Sequence, residues 1–283
     1  MKSKVYIALF SGIILLMTSC DKENSQAASE QQLSVSESVA LEASVEAVDR
    51  VLDENILYSG VFLGYDVLAG KGDAHHFGFF PDCVILQTET TENTITVTLS
   101  FQAGCEDRNG NAFSGTLTIV KSLTDSSLER SINFEDFTVN GYVVNGTKTF
   151  SYTAANDNGN PQMAGTVDIS VETESGTISR KGNSLVEITA GGETDTCLDD
   201  EITRTGSYTY TDVSGATFSL EITTPLVKPA ECRYIAMGIK TYTTEEGTAT
   251  LDYGDGTCDN LALLTDMDGT ATEIELHRGR WHH

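Results

Sequence analysis

The sequence predicts a mainly β protein: an extended antiparallel meander, rolled as a curled sheet or folded as a sandwich or open barrel, behind one short N-terminal helix. Three observations predict it. Ile95, Val97, Leu99 and Phe101 alternate with Thr94, Thr96, Thr98 and Ser100, the period-two pattern of a strand with one buried face. Asn-Gly and neighbouring turn residues recur between such runs, and both accept positive φ. No helical crossover pattern separates the runs, which argues against a parallel α/β sheet.

The 283 residues suffice for one large domain or two small ones. With 42 Asp and Glu against 17 Lys and Arg, the formal net charge is −25. That balance argues against nucleic acid, whose phosphates need clustered cations, and against attachment to anionic lipid through protein charge.

The first element is a leader over 1–19. Lys2 and Lys4 precede an apolar run from Val5 to Met17, too short to span a hydrocarbon core of about 30 Å. It is followed by Leu16-Met17-Thr18-Ser19-Cys20. Small residues ahead of a cysteine resemble the lipobox of bacterial lipoprotein signal peptides. That resemblance implies cleavage before Cys20 and a diacylglycerol thioether, usually with an added acyl chain such as palmitate, on Cys20. An ordinary secretory leader with an incidental Cys20 is the alternative. Two or three acyl chains hold a protein at a membrane stably. Loss of residues 1–19 removes Lys2, Lys4 and no acid, so the net charge falls from −25 to −27.

Asp21-Lys22-Glu23-Asn24 is similar to the acidic export signals of Bacteroidota surface lipoproteins, whereas in enterobacteria an Asp here accompanies inner-membrane retention. The expected location is the cell envelope, at the outer membrane, with the periplasmic or surface side open. Residues 20–32 are polar and read as a tether. Residues 33–57 read as an amphipathic helix or spacer: Leu33, Val35, Val39, Leu41, Val45, Val48, Val51 and Leu52 recur at helical intervals, with Glu37, Glu42, Glu46, Asp49 and Arg50 between them.

Residues 58–283 form the expected β domain. Its strands include Leu117-Thr118-Ile119 and the alternating Phe218, Leu220 and Ile222. Asn140-Gly141, Asn145-Gly146 and Asn158-Gly159 read as turns, and Gly115, Gly146, Gly165, Gly176, Gly206, Gly247 and Gly269 as strand starts after turns.

With Cys20 lipidated, Cys83, Cys105, Cys197, Cys232 and Cys258 remain. Two bonds among five cysteines allow fifteen pairings, and spacing does not choose. The preferred pairing is Cys83–Cys105 with Cys232–Cys258, since each bond would bracket one antiparallel segment. Cys197 would stay free, among carboxylates that raise a thiol pKa. The stretch from Cys83 through Gly104-Cys105-Glu106-Asp107 to Gly115-Thr116-Leu117, Thr223-Thr224-Pro225-Leu226, and Leu251 through Cys258-Asp259-Asn260 resemble uncharacterised lipoproteins of Flavobacteriia and other Bacteroidota. The resemblance supports the pairing and the envelope address and carries no activity.

Few patterns point to chemistry. Asp252, Asp255 and Asp259 lie in a glycine-rich turn whose oxygen ligands would suit Ca²⁺, although the spacing is not that of an EF-hand. Ordinary Asp turns are the alternative. Asp266-Met267-Asp268-Gly269 and Asn156-Asp157-Asn158-Gly159-Asn160 match partially in the same way. His75, His76, His277, His282 and His283 lie at the margins of the domain. Gly-x-Ser-x-Gly, His-Glu-x-x-His and P-loop patterns are missing. Tyr208, Tyr210, Tyr234, Tyr242 and Tyr253 could stack on sugars or pack in the core. The sequence therefore leads to a non-enzymatic, lipid-anchored envelope protein serving as a binding or structural module. Its partner would be a protein or glycan. A carrier of a small apolar or glycan ligand, and then a two-carboxylate hydrolase, are the alternatives.

Overall fold

The computed structural model describes Ser38, Leu41, Glu42, Val45 and residues 83–276 apart from 108–109, 124–127, 195 and 197. The leader, Cys20, the tether, most of 33–57, Cys197 and all five histidines lie outside the described residues.

Thirteen strands follow one another: β1 (Val84–Thr90), β2 (Thr94–Glu106), β3 (Ala112–Leu123), β4 (Leu128–Val139), β5 (Tyr142–Thr153), β6 (Gln162–Thr173), β7 (Gly176–Ala190), β8 (Glu201–Thr211), β9 (Thr217–Pro229), β10 (Met237–Thr243), β11 (Thr248–Asp255), β12 (Leu261–Thr265) and β13 (Ala271–Glu275). They form one antiparallel sheet in which every strand pairs with its neighbours in sequence. The expected meander is therefore observed, as an unclosed curled sheet. Laid flat, thirteen strands would span about 58 Å at ~4.8 Å per strand. Yet Val97 and Leu99 of β2 share one hydrophobic cluster with Leu251 of β11 and Ala262 of β12, so the sheet rolls around its own core.

The alternation seen in the sequence sets which face is buried. Leu99, Leu117, Phe134 and Gly146 lie opposite one another on successive strands, as do Val97, Ile119, Ile132 and Lys148. Aromatic side chains fill two regions of this face. Phe101, Phe113, Phe134 and Phe137 pack with centroids 5.2–6.2 Å apart. Tyr210 stacks on Phe218 at 4.7 Å, with Tyr208 and Tyr242 beside them. Ser38, Leu41, Glu42 and Val45 are helical, and their three- and four-residue spacing places them on one helix face. Val45 and Leu41 pack into the core of the sheet.

The glycine readings need correction. Asn140 and Gly141 do make the β4–β5 turn, with φ of 50° and 86°. Asn145-Gly146 does not turn the chain: it lies inside β5. Gly115, Gly165 and Gly206 likewise sit within strands, whereas Gly176 opens β7. Gly146 has φ +119°, and a Cβ there would collide with the Asp168 carbonyl oxygen. At Gly115 it would stand 2.7 Å from the Asp136 carbonyl oxygen. Gly115 lets β3 close on β4 where their register shifts, and Gly146 and Gly206 let β5 close on β6 and β8 on β7, beside the β4/β5 and β8/β9 shifts. A glycine ahead of alternating residues marks a bend within a strand as readily as a strand start.

Both disulfides are present as paired above. Cys83–Cys105 ties the chain just before β1 to the end of β2, with Cα atoms 5.5 Å apart. Cys232–Cys258 ties the β9–β10 connection to the loop after β11, with Cα atoms 5.6 Å apart. Such bonds are compatible with an extracytoplasmic protein.

Candidate functional site

Several strand cations face the core of the sheet, while Lys181 lies on the other face, paired with Asp168. Lys121 pairs with Ile95 and Arg130 across the core face. Lys148 lies between Ile132 and Val167, Arg180 between Ile169 and Tyr210, and Lys240 between Ile222 and Leu251. Lys148, Arg180 and Lys240 are buried. Strand carboxylates fall on the other face: Glu129 pairs with Ser122 and Ser151, Asp168 with Thr147 and Lys181, and Glu221 with Ser207 and Thr241. Thus a strongly acidic chain surrounds its core with cations.

Aromatic rings and a carboxylate receive three of these cations, Arg130, Arg180 and Lys240. Arg180 lies 4.2 Å from the Tyr208 ring centre, and Arg130 5.0 Å from that of Phe150. Lys240 Nζ donates to Glu42 Oε1 at 2.7 Å, and the Tyr242 hydroxyl donates to Glu42 Oε2. Both carboxylate oxygens are therefore held. Glu42 is only 4% exposed, among Ser38, Leu41 and Val45. Reading Glu42 on the polar side of the helix was wrong: its partner Lys240 lies 198 residues along the chain, beyond any local pattern. The available signal was a lysine at an apolar position of the strand alternation, since Lys240 replaces an inward aliphatic residue in β10. Burial, then the Glu42 charge, pushes the Tyr242 hydroxyl pKa up. At Lys121, burial and then Arg130 lower the pKa to about 8.

The three aspartates proposed for calcium bond to their own neighbours, and Asp252 and Asp255 lie in strand β11 where a turn was expected. Asp252 Oδ1 accepts from the Gly254 N–H at 2.9 Å, Asp255 Oδ1 from the Thr257 hydroxyl at 2.8 Å, and Asp259 Oδ1 from the Leu261 N–H at 2.9 Å. The Thr257 hydrogen bonds hold the Asp255 carboxyl below its ordinary pKa. Asn156 Oδ1 likewise closes a turn on Asn158 and Asn160, while the Asn156 and Asn160 amides donate to Glu187 and lower its pKa. Among the described residues, no group of three or more His, Cys, Asp or Glu could hold a metal ion. Of the tyrosines considered for stacking, Tyr208, Tyr210, Tyr242 and Tyr253 are buried in the core.

The solvent face carries a groove of about 810 Å³ that crosses from β3 to β9. Ser131, Thr149, Thr166, Asn183, Ser207 and Glu221 form one row of its lining, each opposite the next on successive strands. Ser122, Glu129, Ser151, Ala164, Leu185 and Thr205 form a second row. Thr149 and Thr166 hydroxyls lie 2.6 Å apart. Hydroxyls and amides both donate and accept, so the first row offers a hydrogen-bonding side chain about every 4.8 Å, whereas the second is interrupted by Ala164 and Leu185. Glu129 and Glu221 add negative charge. The alternation predicted hydroxyls on this face; the strand bends that make it concave were not legible.

Compared with protein-family models, curated proteins and solved structures, the chain matches none.

Proposed function

We propose that this protein is a lipid-anchored, non-catalytic binding module of the bacterial cell envelope. Acyl groups on Cys20 attach it to the outer membrane, and the solvent-face groove takes an extended, neutral, hydroxyl-rich chain, a glycan. The observation that carries the binding role is the in-register row Ser131–Thr149–Thr166–Asn183–Ser207 across five strands. Such a row suits a repeating polymer better than a compact ligand. The nearby Glu129 and Glu221 would repel an anionic polymer. The leader sequence and the two disulfides support the address.

Two experiments test this reading. Metabolic palmitate labelling should mark the protein, and Cys20→Ser should abolish the label; labelling that survives removes the anchor. Affinity electrophoresis through a neutral envelope polysaccharide should retard the purified chain, whereas an acidic one should not. Thr149→Val with Thr166→Val keeps strand propensity and removes two hydroxyls, so retardation should disappear. Equal retardation of the variant would refute the groove assignment.

A further inference from the structure

We propose that the core face of the rolled sheet binds a long-chain carboxylate, with Lys240 and Tyr242 gripping its head, and that Glu42 of the chain's own helix occupies that grip in the structure described. This site is separate from the solvent-face groove and does not depend on it.

The head position is already built for a carboxylate. Lys240 takes one oxygen of Glu42 and the Tyr242 hydroxyl takes the other, a charge-assisted two-point hold. Around it the sheet is apolar. Ile222 and Leu251 flank Lys240 across the sheet, Leu220 and Ala249 flank Tyr242, and the Tyr253 ring centre lies 5.8 Å from Lys240 Nζ. The occupying helix face presents the same two chemistries: Glu42 is 4% exposed on the face that also carries Leu41 and Val45, both packed with the core. A carboxylate joined to aliphatic surface is the chemical outline of a fatty acid.

A general property of buried ion pairs and one observation favour exchange over a permanent strut. A buried ion pair is a poor source of stability, because desolvation offsets most of its attraction and an apolar replacement is often at least as stable. The core face also has an apolar margin open to solvent. Leu86 pairs with Leu99, and Ile95 with Lys121, yet Leu86 and Ile95 are 44% and 42% exposed. Lys121 and Arg130 follow Ile95 in register along that margin.

The test uses the purified full chain and 11-(dansylamino)undecanoate, whose fluorescence rises in apolar surroundings. Glu42→Gln weakens the helix's hold and should tighten probe binding at least tenfold. Adding Lys240→Met should erase that gain. Dodecanoate should displace the probe, and dodecanol should not. Should Glu42→Gln fail to fold, Leu41→Ala loosens the same helix with the grip intact and should also tighten binding. The proposal is overturned by a folded Glu42→Gln or Leu41→Ala chain that binds no better than wild type. It is equally overturned if the gain survives Lys240→Met, or if dodecanol competes as well as dodecanoate. Thr149→Val with Thr166→Val should leave probe binding unchanged, which separates failure here from failure of the groove.

Discussion

Neutralising one member of the Glu42–Lys240 pair should cost far more than replacing the whole group. At 2.7 Å, with an effective dielectric of about 20, the attraction is about 6 kcal/mol. Withdrawing both ions from water takes back several kcal/mol each, so the intact pair contributes little net stability. Glu42→Gln leaves Lys240, 6% exposed, with an uncompensated charge, which costs about 3–5 kcal/mol. Lys240→Met should cost as much by stranding Glu42. Replacing Glu42 also removes the acceptor of the Tyr242 hydroxyl, worth about 1–3 kcal/mol when lost in a buried site. The balanced replacement is therefore Glu42→Leu, Lys240→Met and Tyr242→Phe together, and it should come within about 1 kcal/mol of wild type or exceed it. Urea unfolding measures each variant, with an unchanged m value as the check that the free energies are comparable. A Glu42→Gln cost below about 1 kcal/mol would refute the reasoning. So would a triple variant as unstable as the sum of the single changes.

The other predictions concern the sheet. Cys83 and Cys105 lie 22 residues apart and Cys232 and Cys258 26 apart, so replacing either pair with alanine should cost about 3.5 kcal/mol by loop-closure entropy; a loss under about 1 kcal/mol in urea unfolding would contradict this. Gly146→Ala should cost about 3 kcal/mol or more, because positive φ and backbone collision coincide there. Gly141→Ala meets nothing within 4 Å and should cost only about 1–2 kcal/mol for its φ, so equal losses would refute the packing argument. Lys121 is held near pKa 8 in the fold against 10.5 for an ordinary lysine; the unfolded chain binds the extra proton between those values, so stability should rise with pH across that window. Thermal melts at about pH 7.5 and 9.5 should show that rise weakened in Lys121→Met, and parallel profiles would exclude Lys121 as its source.

The sequence carried the sheet well because one face is apolar and the other hydroxyl-bearing. Val97, Leu99 and Phe101, like Phe218, Leu220 and Ile222, sit in strands with the expected face buried, and only Ile95 at the margin is exposed. Both disulfides close over neighbouring strands, so local reasoning reached them. The failures came where one residue type serves two geometries. Gly146 and Gly206 bend strands where a turn was expected. Glu42 falls between the apolar positions of the helix pattern, and its buried partner Lys240 lies too far along the chain for any local pattern to show it. The groove depends on how several strands bend together, and period-two alternation contains no term for curvature.

The order of the strands has a consequence for how the chain is made. Each strand pairs only with those before and after it, so the sheet can grow as a zipper from one end of the polypeptide to the other. No strand must wait for a distant segment to complete its ladder. The Glu42–Lys240 clasp differs, since it joins residues 198 positions apart. A segment delivered early must remain uncommitted until β10 arrives, making this clasp a late checkpoint that reports completion of nearly the whole sheet.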